Sequence, residues 1–65
     1  MKSLEELMVK AIRQFKREHR TCSIRTCAFM EGSGAANEWT AATVEIEYVE
    51  EDFGEYKTID IRVEA

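Results

Sequence analysis

Three side chains of the types that bind zinc or act as nucleophiles lie close together in the chain, in the pattern His-x2-Cys-x4-Cys formed by His19, Cys22 and Cys27. Structural zinc uses four ligands, and no second His or third Cys completes this set. The odd spacing of the cysteines points them to opposite faces of a strand, which would also strain a disulfide between them. We therefore expect no metal and two reduced thiols, as in a cytoplasmic protein.

Two further chemical patterns are weak. A Cys-His nucleophilic pair needs a third group that orients the imidazole, and none is identifiable, so His19 is better explained as a residue that compensates the end of a helix. The segment Gly32-Ser33-Gly34 looks like part of a dinucleotide fingerprint, but that motif needs a helix directly after it. A strand pattern follows instead. We expect a hairpin loop here, no cofactor and no enzyme activity.

Charge is divided unevenly along the chain. Residues 1–30 carry seven Lys or Arg against three Glu, whereas residues 31–65 carry two against ten Asp or Glu. Such asymmetry suggests charged partners. The pI near 4.9 is low for a dedicated nucleic-acid-binding protein.

The length of 65 residues sets the scale of the molecule. It corresponds to one small domain, which buries only about 60% of its unfolded surface and is marginally stable. Large two-lobed enzymes and nucleotide-binding α/β folds are excluded. No apolar stretch approaches the roughly 20 residues of a membrane span, and the acidic N-terminal residues do not resemble a signal peptide, so we expect no membrane association.

The first element that could position these groups is a helix from about Leu4 to His19. Ser3 and Glu6 form a capping box at its start. Apolar residues then recur on one helical face: Leu4, Leu7, Met8, Ala11, Ile12 and Phe15. A row of cations occupies the opposite side: Lys10, Arg13, Lys16, Arg17 and Arg20.

After residue 20 the apolar period changes from 3.6 to 2, which predicts strands at about 21–30, 40–50 and 55–64. In the first strand, one face is predicted to carry Cys22, Ile24, Ala28 and Met30, and the other Ser23, Arg25, Cys27 and Phe29. The segment 31–37 is predicted to be a flexible connection because it is rich in Gly and Ser. Residues 51–54 are predicted to form a turn in which Gly54 takes a positive φ.

The last two strands are predicted to form a hairpin. If Glu50 pairs with Glu55 across the turn, the apolar faces align, with Ile46 facing Ile59. The resulting fold is α+β, a single αβββ domain spanning residues 1–65 in which the helix crosses a three-stranded antiparallel meander. Its open edges and small core make a homodimer plausible, formed by continuing the sheet through the last strand.

The same register predicts an acidic outward face, because Glu45 then lies opposite Asp60. Aromatic residues are predicted to flank this face, with Phe29 and Trp39 near one end and Val49 and Tyr56 near the other, although Trp39 could instead fold over the core. The candidate partner-binding residues are Glu45, Glu47, Glu50, Glu51, Asp52, Glu55, Asp60, Trp39 and Tyr56.

In overall style the chain resembles the small phage-encoded anti-defence proteins such as anti-CRISPRs. The resemblance rests on its size, on the acidic hairpin from Glu45 to Glu55 and on the lack of an active-site motif. It implies an acidic α+β domain without cofactors that occupies a nucleic-acid-binding or protein-binding surface of its partner. It identifies no site residue.

Three hypotheses follow from these patterns. The leading one is a non-enzymatic inhibitor whose acidic sheet face and aromatic anchors dock on a basic protein surface. The second is a small nucleic-acid-binding or regulatory protein that uses the cations of the helix. The third is a structural homodimer or assembly subunit. Ordinary solubilising surface also accounts for the charge pattern without any partner.

Overall fold

The structure, a computed structural model, describes residues 3–35, 38–50 and 54–65 and begins with helix α1 (Leu4–Glu18). The start of α1 confirms the predicted capping box. The Glu6 amide donates to Ser3 Oγ (3.2 Å), and the Ser3 amide donates to Glu6 Oε1 (3.5 Å). These bonds satisfy amides that lack partners at a helix N-terminus. The helix ends one residue earlier than predicted, and His19 is its C-cap.

Three antiparallel strands follow the helix, named β1 (Cys22–Ala35), β2 (Glu38–Glu50) and β3 (Tyr56–Glu64). They form one sheet in the order β1-β2-β3, which confirms the predicted α+β fold with a helix packed on a three-stranded meander. The register of β2 with β3 is also as predicted, since Ile46 lies opposite Ile59. Gly54 has a φ of +62°, while the remainder of the predicted turn, residues 51–53, lies outside the described residues.

Strand β1 is longer than the sequence pattern predicts, and most of the expected flexible loop is part of it. Gly32 pairs with Ala42, and Gly34 pairs with Trp39. Gly32 allows the β1 backbone to lie close to β2, which explains a glycine inside a strand. A Cβ on Gly32 would lie 2.8 Å from the Ala41 carbonyl oxygen and 3.0 Å from the Trp39 ring. Residues 36 and 37, at the end of the predicted loop, lie outside the described ranges.

Strand β1 also changes face along its length, which the period-2 pattern missed. Its register with β2 shifts between Ile24 and Thr26, so Arg25 is an extra residue of the kind found in a β-bulge. As a result Cys27 and Phe29, rather than Ala28, lie opposite the inward-facing residues of β2. The prediction that Cys22 and Cys27 face apart is therefore wrong.

The core lies between α1 and one face of the sheet, called the inner face below. The largest fully buried side chains are Leu7 and Phe15 from the helix and Val44 and Ile46 from β2. The Phe15 ring contacts Tyr48, with ring centroids 4.9 Å apart. Inward aliphatic residues continue into β3 as Ile59, Ile61 and Val63, and the helix contacts β2 and β3 more than β1.

Candidate interaction surface

The opposite side of the sheet, called the outer face below, is not covered by any described element. Its residues form three columns, one from each strand, and residues in neighbouring columns lie opposite one another across the β1–β2 and β2–β3 pairings. They are Ser23, Thr26, Ala28, Glu31 and Ser33 on β1, Ala41, Thr43, Glu45, Glu47 and Val49 on β2, and Tyr56, Thr58, Asp60, Arg62 and Glu64 on β3. Carboxylates outnumber the cations of this face, which include Arg62.

The acidic cluster at the centre of the outer face consists of Glu45, Glu47 and Asp60. Glu45 lies directly opposite Asp60, as predicted, and Glu47 follows two residues further along β2. Side chains two residues apart on a strand are about 7 Å apart on the same face, and directly opposed residues are closer. Since both strands are held in the ladder, the backbone positions of these three residues are close together on the same face.

One cation reaches this cluster from the bulge of β1. Arg25 Nε lies 3.4 Å from Glu47 Oε1, and its guanidinium lies 4.4 Å from the centroid of the Tyr56 ring. Within the described ranges no Lys or Arg lies within ion-pairing distance of Glu45 or Asp60. The charge of Glu47 is therefore partly balanced by a direct ion pair, whereas Glu45 and Asp60 have no such pair and Arg62 lies two residues from Asp60 on the same face.

The other predicted carboxylates are distributed differently. Glu50 is on the inner-face side at the end of β2, opposite Cys22, and its Oε1 lies 3.6 Å from Lys57 Nζ. Glu55 is exposed just before β3 begins. Glu51 and Asp52 lie outside the described residues. Sequence reasoning missed Glu31 as a member of the outer face because that residue lies in the segment predicted to be a loop.

Of the predicted aromatic anchors, the outer face holds Tyr56, which is half exposed. The prediction that Phe29 flanks this face is wrong, and of the two alternatives for Trp39 the structure shows the one in which it packs over the core. Both lie on the inner face, where their ring centroids are 5.3 Å apart and Trp39 packs against the core. The extra residues in the strands cause the reversal: Arg25 shifts the phase of β1, and the register also skips Thr40 on β2.

The cations of the helix are partly engaged with the sheet. Lys10 Nζ donates to the Glu64 carbonyl oxygen, and Lys16 Nζ donates to the Cys22 carbonyl oxygen at 3.2 Å. These two side chains therefore attach the helix to the ends of β3 and β1. Arg13 and Arg17 are exposed on the helix, whose first turn carries Glu5 and Glu6, and Arg20 lies beyond the helix end.

The thiols and the imidazole contribute to the core. Cys22 is buried and Cys27 half-buried, both on the inner face and both free. Burial raises the pKa of the Cys27 thiol above its ordinary value. The His19 ring stacks on Phe15, with centroids 4.5 Å apart. Among residues 3–35, 38–50 and 54–65 there is no cluster of three or more potential metal ligands.

Comparisons with protein families, curated proteins and solved structures give no match to this chain. In the described part of the chain, no helix has both the length and the apolar character of a membrane span. The surface with the clearest physical character is thus the uncovered outer face, where the acidic cluster and the Arg25–Tyr56 contact lie side by side. Such a surface can bind a complementary basic one.

Proposed function

We propose that this protein is a non-enzymatic interaction module that docks its outer face on a basic surface of a partner protein and inhibits that partner. The residues that make the contact are the acidic cluster, Glu45, Glu47 and Asp60, with Tyr56 as the apolar anchor. Because a basic groove that accepts these carboxylates also accepts phosphates, the partner is a nucleic-acid-handling protein.

The observation that carries the proposal is the direct opposition of Glu45 and Asp60, with no Lys or Arg within ion-pairing distance of either in the described ranges. Like charges directly opposite one another on a sheet destabilise the pairing of the strands. A Lys or Arg supplied by a partner would remove this repulsion. Binding would therefore relieve a destabilising contact that remains in the folded protein alone.

The rest of the molecule is consistent with this role. Its small size and acidity agree with the resemblance to phage anti-defence proteins, and the proposal places it in the cytoplasm, where its two thiols stay reduced. The hairpin-end carboxylates such as Glu55 extend the negative field and steer the encounter with the partner. Trp39 is not part of the docking surface, because it packs on the inner face.

Affinity capture from a host lysate with the tagged protein tests the proposal. The capture is run at low and moderate salt, with and without nuclease, using the natural protein and the variant Glu45→Lys/Glu47→Lys. A lysine at position 45 attracts Asp60 across the sheet, whereas a lysine at position 47 repels Arg25, so circular dichroism checks that this variant keeps its fold. The matched control is Glu5→Lys/Glu18→Lys, which makes the same change of charge at exposed positions of the helix.

We expect a basic, nucleic-acid-binding protein that is retained after nuclease treatment by the natural protein and by the control, but not by the outer-face variant. Equal retention by the outer-face variant would contradict the proposed surface. Nucleic acid retained alone, and lost at moderate salt, would instead favour the basic helix as the functional element.

A further inference from the structure

The free edge of β3 is a regular strand edge that has no strand partner among the described residues, although its Glu64 carbonyl accepts from Lys10. Strand β3 pairs only with β2 over the described ranges, and its register with β2 runs from Val49 opposite Tyr56 to Ala41 opposite Glu64 without a shift. The other edge strand, β1, has three register shifts. Bulges protect an edge from further pairing, and a regular edge does not have that protection.

The hydrogen-bond phase of the β2–β3 ladder shows which backbone groups point out from the β3 edge. The Ala65 amide donates to the Thr40 carbonyl oxygen (2.9 Å), in the same register as the rest of the ladder. In an antiparallel pair the hydrogen-bonded positions alternate, so Ile59, Ile61 and Val63 direct their backbone groups towards β2. The amides and carbonyls of Thr58, Asp60, Arg62 and Glu64 therefore face the free edge, and the bond from Lys10 to the Glu64 carbonyl agrees with this phase.

We infer that a second copy of this chain pairs with this edge, β3 against β3 and antiparallel, with the two-fold axis at Ile61. In this register the outward-pointing backbone groups of Asp60 meet those of Arg62 of the second copy. Thr58 meets Glu64 as well, where the Glu64 carbonyl accepts from the Thr58 amide on the lone pair that Lys10 does not use, and each pair occurs twice by symmetry. The result is a six-stranded antiparallel sheet.

Charge selects this register over its neighbours. With the axis at Ile61, Asp60 lies opposite Arg62 of the second copy on the outer face, which places opposite charges together twice. An axis at Asp60 would oppose two aspartates, and an axis at Arg62 would oppose two arginines. Directly opposed like charges destabilise a strand pair, whereas opposite charges stabilise it.

The inner face selects the same register. With the axis at Ile61, Ile59 lies opposite Val63 of the second copy and the two Ile61 side chains lie opposite each other. Ile59 is only half-buried in the single chain, so this pairing covers apolar surface that is otherwise exposed. An axis at Ile59 would place Ile61 against Lys57, and an axis at Asp60 would place Val63 against Lys57.

The two helices also fit this arrangement. A two-fold axis perpendicular to the sheet places both helices over the same face, and α1 lies mainly over β2 and β3. Because adjacent strands are about 4.8 Å apart, a helix midway between β2 and β3 lies about 10 Å from its symmetry mate. This is close to the usual distance between packed helices, so the helices lie side by side without overlap.

Charge reversal tests the register. The molar mass is followed by light scattering from low micromolar to millimolar concentration for the natural protein, Asp60→Arg, Arg62→Asp and the double swap. Both positions are exposed, and circular dichroism checks that each variant folds. We expect each single variant to raise the dimer dissociation constant by about tenfold or more, and the double swap to restore it to within about threefold.

A second measurement reads the interface directly, independently of any variant. The amides of Asp60 and Arg62 point to the free edge, so their hydrogen exchange slows as the concentration rises into the dimeric range, while Ile61, bonded to β2, changes less. A protein that stays monomeric to millimolar concentration overturns the inference. So does a dimer that the single variants leave intact, since it must form through another surface. In this dimer Arg62 of the second copy lies opposite Asp60, so the test of the outer-face partner is run below the dimer dissociation constant, where failure of one proposal is distinguishable from failure of the other.

Discussion

Glu45 is the residue at which folding and the proposed binding oppose each other. The sheet register places its carboxylate opposite Asp60, while the neighbouring carboxylate of Glu47 has Arg25 beside it. Removing the charge of Glu45 and removing the charge of Glu47 are therefore expected to change the stability in opposite directions.

We expect Glu45→Gln to raise the free energy of unfolding by about 0.2–1 kcal/mol, because it removes a like-charge pair across two strands. Glu47→Gln is the matched control. It removes an exposed ion pair and is expected to lower stability by at most about 1 kcal/mol. Urea unfolding at low salt measures both, and the gain shrinks as salt is added. Destabilisation by Glu45→Gln would show that the opposed carboxylates are not in repulsive contact.

Cys27 gives a second prediction at this scale. Burial raises the pKa of its thiol, so less thiolate is present at neutral pH in the folded protein than in the unfolded chain. We expect iodoacetamide to alkylate Cys27 more slowly in folded Cys22→Ala, where it is the one remaining thiol, than in the same variant unfolded in urea. Equal rates would contradict the burial of this side chain.

The same shift has a consequence for stability. Because the folded-state pKa is raised, the unfolded chain loses its thiol proton first as the pH increases. The contribution of Cys27 to stability is therefore full below the ordinary pKa of a thiol and is lost as the pH rises through the folded-state pKa.

At the scale of elements, the helix and the β2–β3 hairpin follow from the sequence, and β1 does not. Ser3 with Glu6 marks the helix start, and the alternation that aligns Ile46 with Ile59 fixes the hairpin. In β1, the extra residue Arg25 reverses the faces of Cys27 and Phe29, and alternation alone has no signal for it. The glycines near residue 32 also predict a loop from the sequence. In the structure, the absence of a side chain at Gly32 allows β2 and the Trp39 ring to lie close to the β1 backbone.

Gly34 is the glycine on which the extended end of the β1–β2 hairpin depends most. Its φ is +124°, a region that residues with a Cβ rarely adopt, and a Cβ there would lie 2.5 Å from the Glu38 carbonyl oxygen. We expect Gly34→Ala to destabilise the protein by roughly 1–3 kcal/mol. The control is Gly54→Ala, where φ is +62° and the space is open, at a cost of about 1 kcal/mol. Urea unfolding compares them, and an equal or larger loss for Gly54→Ala would contradict the described geometry.

At the scale of the whole molecule, the chain separates its charges between a helix with a basic C-terminal part and an uncovered acidic sheet face. The sequence predicted the acidic centre of that face, because the register that pairs Glu45 with Asp60 also aligns the core. The sequence did not predict the inner-face position of Phe29, which depends on the extra residue Arg25, and it left open whether Trp39 flanks the outer face or packs over the core, where it lies. The proposed role of the whole molecule is that the acidic face occupies a nucleic-acid-binding surface of a partner.

Competition for the partner measures that role most directly. The protein retained from the lysate is bound to a fluorescently labelled nucleic acid, and the natural protein, Glu45→Lys/Glu47→Lys and Glu5→Lys/Glu18→Lys are titrated in turn. We predict that the natural protein and the helix variant displace the nucleic acid, and that the outer-face variant needs about tenfold more protein or fails to displace it. Displacement by the outer-face variant at the concentration of the natural protein, or no displacement by the natural protein, would contradict the proposed role.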